Sequence, residues 1–240
     1  MKRIFSSFGW ILLLLPLISV AGARTALEIN KSEVFDEDRE VSSFNGVASS
    51  GPFDVYIKLG DKESLRLEGD EETLKDVVTT VEKDILLIHL KKNTTQSFSK
   101  KIKVYITAKN LENLTVSGSG NLKVDGKIEA DEFAATVSGS GNLEMNLECS
   151  NLAATISGSG KINTWGSADK AYIAISGSGN FDGNRFETEN ADIKMSGSGN
   201  ATLEVNDNLH AVVSGSGNIR YSGDAKVSLM KSGSGGVSKI

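Results

Sequence analysis

Cysteine, proline, histidine and aromatic residues are all scarce in this chain, and each shortage removes a class of protein. Cys149 stands alone, so no intrachain disulfide can form. It shares the inward parity of Leu143, Met145 and Leu147, the place of a buried structural thiol. The two histidines, His89 and His210, fall in separate strand patterns, so no two-imidazole metal site, and no cofactor, is expected. None of the many serines has a histidine close by to activate it as a nucleophile. Aromatic residues make up 6% of the chain, and the sequence shows no aromatic sugar platform. Long apolar runs are confined to residues 9–20.

That one run sets the address. Lys2 and Arg3 precede it, Pro16 interrupts it, and Ala21-Gly22-Ala23 follows, the pattern of a secretory signal peptide over residues 1–23. No integral membrane segment is expected beyond it. Cleavage after Ala23 takes the formal charge from −5 to about −7. An acidic exported chain is a poor candidate for nucleic acid or an anionic membrane surface.

Glycine is the opposite case, with 25 residues. Ser-Gly-Ser-Gly begins at Ser117, Ser138, Ser157, Ser176, Ser196, Ser214 and Ser232, in steps of 21, 19, 19, 20, 18 and 18 residues. A repeat of about 20 residues points to a solenoid whose units bury their apolar faces by stacking. The flanks alternate strictly: Phe133, Ala135 and Val137 lead to Gly139, Gly141, Leu143 and Met145 on one parity. Ala134, Thr136, Ser138, Ser140 and Asn142 occupy the other. Period two with one apolar parity is a strand with one face on a core, so the phrase is not a flexible linker.

In every copy the glycines take the inward parity and the serines the outward one. The corner glycines are Gly118, Gly120, Gly139, Gly141, Gly158, Gly160, Gly177, Gly179, Gly197, Gly199, Gly215 and Gly217. At an inward bend a side chain would strike the core, and glycine also tolerates backbone angles that other residues avoid. Each repeat is then two or three short strands meeting at a glycine corner. Seven coils at the inter-strand spacing give a rod segment of roughly 30 Å. Asn121, Asn142, Asn180, Asn200 and Asn218 close the phrase and should form a polar ladder, broken by Lys161 and Gly236.

The first half is less regular. Residues 24–40 form a polar leader, and residues 41–240 a single domain, with irregular larger coils over 41–113 and regular repeats over 114–240. Strands are expected at 41–47 and 53–59, a short helical turn at 70–75, and a hairpin of residues 77–82 and 85–90 across Lys83-Asp84. Residues 91–101 read as a polar loop, followed by a strand with Ile102, Val104 and Ile106 on one face. This half should cap one end of the stack, since open strand edges invite aggregation.

The fold class is therefore all-β: a single-stranded β-helix-like solenoid with glycine corners and an irregular capping half. The pattern Phe44-Asn45-Gly46-Val47, then Phe53-Asp54-Val55-Tyr56-Ile57 and Gly69-Asp70-Glu71, resembles the bacterial head GIN domain family, described as auto-transporter adhesins. Recurrent Ser-Gly-Ser-Gly-Asn is the most specific part of the resemblance. It implies an exported, right-handed fold of parallel strands and carries no catalytic residue set. A C-terminal membrane-barrel pattern of long alternating strands is not seen in the sequence.

The function expected is a non-enzymatic interaction module, periplasmic or at the cell surface, holding a glycan or an envelope protein on a polar face. Candidate contact residues are Ser117, Ser119, Asn121, Ser138, Ser140, Asn142, Ser176, Ser178, Asn180, Asn200 and Asn218. The alternatives are a ligand-free structural envelope protein and a carbohydrate-active enzyme. An enzyme would use the outward stripe Lys123, Glu144, Asn163, Asp182, Thr202 and Arg220. In-register stacking would put Glu144 and Asp182 about 9.6 Å apart, the wide end of an inverting pair.

Overall fold

The computed structural model describes residues 34–92 and 102–240. The signal-peptide region, the start of the leader and most of the 91–101 loop lie outside the described residues. Strands run in chain order as β1 (Phe35–Arg39), β2 (Gly46–Ser50), β3 (Phe53–Leu59) and β4 (Ser64–Gly69), then the short helix α1 (Glu71–Leu74). The hairpin β5 (Val77–Glu82) and β6 (Ile85–Leu90) follows, then β7 (Ile102–Ala108) and β8 (Asn113–Gly118). Long strands come next: β9 (Asn121–Gly139), β10 (Asn142–Gly158), β11 (Lys161–Gly177), β12 (Asn180–Gly197) and β13 (Asn200–Gly215). The chain ends in β14 (Asn218–Ser222), β15 (Lys226–Ser232) and β16 (Gly236–Lys239).

Each long strand is one coil bent twice. In β10 the buried residues are Leu143, Met145, Leu147 and Cys149, then Leu152, Ala154 and Ile156. The inward parity slips at Ser150-Asn151, which marks one corner. A register shift between Glu144 and Asn146, next to the positive-φ glycines Gly126 and Gly166 of neighbouring coils, marks another. With the Ser-Gly corner this gives three faces: face I begins at the Asn of the phrase, face II lies between the two bends, and face III runs back into the phrase. Parallel pairing holds register coil to coil, as in Leu143↔Ile162, Leu152↔Ala171 and Ser157↔Ser176. Leu, Ile, Val, Met, Phe and Ala side chains from every coil fuse into one continuous core.

The two glycines of the phrase have different reasons to be glycine. The second is buried, and at Gly141 an added Cβ would stand 2.5 Å from the Gly120 carbonyl oxygen and 2.6 Å from Val116 Cγ1. The first is only part-buried or exposed, but carries φ of +108° to +123° in all seven copies. The second is closed off by core side chains and by the coil below, whereas the first is set by its backbone conformation and, from Gly139 onward, by the carbonyl of the coil below, which an added Cβ would meet at 2.3–2.6 Å.

The capping half departs from the expected layout in three ways. Residues 35–39, within the expected polar leader, are exposed but ordered as a strand: β1 pairs antiparallel with β4, and Arg39 ties it down by donating to Val77 O at 2.7 Å and Leu74 O at 3.1 Å. The strand expected at 41–47 instead begins at Gly46 and runs to Ser50. Stacking order is also not chain order: β3 lies between β7 and β9, and β2 between β6 and β8. The hairpin falls where expected, with Lys83 and Asp84 at φ +50° and +61°.

The same register uncovers an eighth, disguised corner. Ser50 aligns with Ser117 and Asp54 with Asn121, so Ser50-Gly51-Pro52-Phe53-Asp54 occupies the place of Ser-Gly-Ser-Gly-Asn one coil earlier. Gly51 keeps the positive φ at +149°. Phe53, fully buried, fills the core where the later coils have their second glycine.

Candidate functional site

The Asn residues that close the phrase do form a ladder at the start of face I. Asn121 donates to Asp54 Oδ1 at 2.7 Å, Asn142 to Asn121 Oδ1 at 2.8 Å, and Asn200 to Asn180 Oδ1 at 2.9 Å. Lys161 interrupts the amides and instead reaches Asp182 Oδ2 at 2.6 Å. Asn218 turns to the Ser216 carbonyl at 3.4 Å. Each amide bonded along the ladder keeps further donor and acceptor capacity free.

Serines of the phrase sit on the outside of the corner. Ser119, Ser138, Ser140, Ser176 and Ser178 are exposed and Ser117 is half-buried. Backbone bonds hold that corner in step, with Ser140 N–H donating to Gly118 O and Ser159 N–H to Gly139 O, both at 2.8 Å.

Two residues along from the Asn ladder runs a second cross-coil row. Pairing places Arg66, Tyr105, Tyr56, Lys123, Glu144, Asn163, Asp182, Thr202 and Arg220 side by side on successive strands. The Tyr56 and Tyr105 rings stack with centroids 5.5 Å apart, and the Arg66 guanidinium lies 4.8 Å from the Tyr105 centroid. Tyr105 donates its hydroxyl to Glu68 Oε2 at 2.9 Å, and Lys103 bonds Glu68 Oε1 at 2.6 Å. Lys103, then Tyr105, hold the Glu68 carboxyl below its ordinary range. Burial, then Glu68, raises the Tyr105 phenol.

These rows enclose two adjoining hollows that share Tyr56 and Lys123. One, of about 450 Å³, is lined by Asp54, Tyr56, Asn121, Asn142, Lys161 and Asn163 among others. The other, of about 710 Å³, has Tyr56, Ile57, Arg66, Tyr105, Ile106 and Asp125 in its walls. The structure therefore brings Asn121 and Asn142 into a concave surface. None of Ser117, Ser119, Ser138, Ser140, Ser176 or Ser178 lines it; Asn180 and Asn200 form a further ladder step beyond it, and Asn218 lies past that step, turned to Ser216.

The tyrosine pair is absent from the sequence-based expectation, which saw no aromatic platform. Tyr56 and Tyr105 lie far apart in the chain and meet only because β7 stacks on β3. Their signal is the repeated triplet Val-Tyr-Ile, at Val55-Tyr56-Ile57 and Val104-Tyr105-Ile106.

Glu144 and Asp182 do fall two coils apart on one row, both through Asn163. Each carries its own lysine: Lys123 lies 2.7 Å from Glu144 and Lys161 2.6 Å from Asp182. Lys161 keeps the Asp182 carboxyl below its ordinary value, the reverse of what a general acid needs.

A third groove, of about 850 Å³, follows the corner between faces II and III. Glu112, Glu129, Asp131, Glu148, Asp169 and Glu187 line it, with Cys149 at its floor. Burial, then the Asp169 charge, pushes the Cys149 thiol up to about 11. Lys127 pairs with both Glu129 and Glu148. Among the described residues no three His, Cys, Asp or Glu side chains converge as a metal site. His89 and His210 sit on β6 and β13, and no described helix is long and apolar enough to cross a membrane.

Residues 43–225 match the sequence pattern of the family described as "Putative auto-transporter adhesin, head GIN domain". No curated protein matches the chain significantly. Among solved structures, a "putative adhesin" from Bacteroides fragilis superposes with a TM-score of 0.80 at 23% identity, covering 87% of this chain and 97% of that one. A "putative lipid binding protein" from Parabacteroides distasonis gives 0.72 at 23% identity, covering 88% and 98%. A "putative adhesin" from the same species gives 0.72 at 26% identity, again covering 88% and 98%.

Proposed function

The chain belongs to the head GIN domain family, and on that premise we propose that it is an exported interaction module of the cell envelope, periplasmic or surface-exposed, that holds an extended glycan along face I. The observation that carries this reading is the double hollow around Tyr56. It combines an apolar aromatic wall with amide donors and acceptors at Asn121 and Asn142 and with charged edges at Lys123 and Asp125. Apolar walls with a few placed polar groups are the usual make-up of a small-ligand site. Repetition of the polar rows from coil to coil suits a polymer better than a compact ligand. The leader pattern at residues 1–23 supports export.

The serines at the corner extend the same contact surface outward, and Asn180, Asn200 and Asn218 extend it along the stack. Catalysis at Glu144 and Asp182 is disfavoured by the lysine that neutralises each. Screening envelope polysaccharide fragments by glycan array and calorimetry tests the proposal. Tyr56→Ala and Asn142→Ala should each weaken the glycan about tenfold or more, with the melting temperature of the Tyr56 variant nearly unchanged. Binding only to an envelope protein, or glycan binding indifferent to both substitutions, would overturn it. Polysaccharide turnover that disappears in Glu144→Gln would establish the enzyme instead.

A further inference from the structure

Face III carries a hollow of its own, separate from the pair on face I. Cross-strand pairing sets Ile85, Gly46, Asn113, Ala134, Ala153 and Tyr172 side by side on β6, β2, β8, β9, β10 and β11. Ala134 and Ala153 are short, so the outer surface dips between the β5–β6 hairpin at one end and the Tyr172 ring at the other. The dip holds about 590 Å³, with Lys83 and Ile85 on the hairpin side and Glu132, Asn151 and Tyr172 on the other. That volume falls within the range of small-ligand sites. Asn113 and Tyr172 stand three strands apart, roughly 14 Å at the usual spacing.

Three side chains around this hollow are uncommitted. Tyr172 is 48% exposed and has no hydrogen bond or ring contact among the described residues. Asn151 makes no side-chain hydrogen bond, and its cross-strand neighbour Glu132 has no ion pair, again among the described residues. Further along the same row the amides are already paired, Asn208 donating to Asn190 Oδ1 at 2.9 Å. An open aromatic ring beside a free amide and a free carboxylate matches a saccharide, which has an apolar C–H face and a rim of hydroxyls. The hollow lies on a sheet face and not at a sheet edge, so a peptide cannot add to it as a strand. One ring, Ile85 and two alanines are too little apolar wall to enclose an acyl chain. Glu112 and Glu132 outnumber Lys83 at the rim, which disfavours an acidic sugar.

We infer that this hollow is a second saccharide site, selective for uncharged sugars, and that one molecule is therefore bivalent, with one site on face I and one on face III. The inference stands on residues that the face I site does not use.

Calorimetry on the purified full-length protein tests it, with neutral hexasaccharides of glucose, mannose, galactose and N-acetylglucosamine as probes. At least one of them should bind with two copies per chain, falling to one copy in Tyr56→Ala and in Tyr172→Ala. Glu132→Gln/Asn151→Ala should weaken the face III step about tenfold or more. A galacturonic acid hexamer should bind the Tyr56→Ala protein at least about tenfold more weakly than the neutral probe. In unsubstituted protein with labelled tyrosines, the Tyr172 ring signals should shift during the titration. A stoichiometry that Tyr172→Ala leaves unchanged, or Tyr172 signals that stay in place, would overturn this site while the face I reading stands. Binding lost in Tyr172→Ala but indifferent to Tyr56→Ala would uphold this site and overturn face I instead. Equal binding of the acidic hexamer, or no binding of any neutral probe, would also overturn the inference.

Discussion

At Gly177 the backbone has φ +109°, and an added Cβ would stand 2.6 Å from the Gly158 carbonyl oxygen one coil below. Gly177→Ala should therefore lower stability by about 1–3 kcal/mol, read from the denaturant midpoint. An unchanged midpoint would remove the steric account of the corner. Cys149 offers a second single-residue measurement. With its thiol at about 11 and its side chain buried, it should resist a disulfide reagent at neutral pH in the native protein and react once unfolded. Glu68 is the third. Its folded pKa is depressed, so its contribution is present above the unfolded carboxylate value and is lost as pH falls through the folded one. Glu68→Gln should flatten the acid limb of the stability profile and leave the alkaline carboxylate-independent region in place.

Among the elements, the β5–β6 hairpin was the part of the first half most open to prediction. Two apolar strands flank Lys83-Asp84, and both turn residues adopt the left-handed region. Asp84→Gly should remove that strain and raise stability by about 0.5–1 kcal/mol, seen as a higher melting temperature. The regular coils were legible for the same local reason: period-two burial and a fixed corner phrase are visible within 20 residues of sequence. β1 was not, because Asp36-Glu37-Asp38 looks like a solvated run and its pairing depends on β4 and on Arg39 reaching Leu74 and Val77. The corner at Gly51 was hidden because Pro52 and Phe53 replace two residues of the phrase. The face I hollow was half legible: Asn121 and Asn142 follow from the repeat, whereas Tyr56 and Tyr105 meet only through long-range stacking of β3 on β7.

For the whole molecule, contacts run almost entirely between adjacent coils, so stability should vary along the axis as in other stacked repeats. Hydrogen exchange should be fastest in the exposed β15 and β16 and slowest in β10, β11 and β12, each held by coils on both sides. Uniform protection from end to end would mean that the stack opens as one unit. The mismatch between stacking order and chain order has a separate consequence for biogenesis. A polypeptide leaving a ribosome or a translocation pore N-terminus first releases β2 and β3 before β6, β7, β8 or β9, the strands that flank them, exist outside. That first ribbon has to wait unpaired, and residues past β9 then find a finished template on arrival. Structure formation thus begins in the middle of the emerging chain and afterwards keeps pace with synthesis.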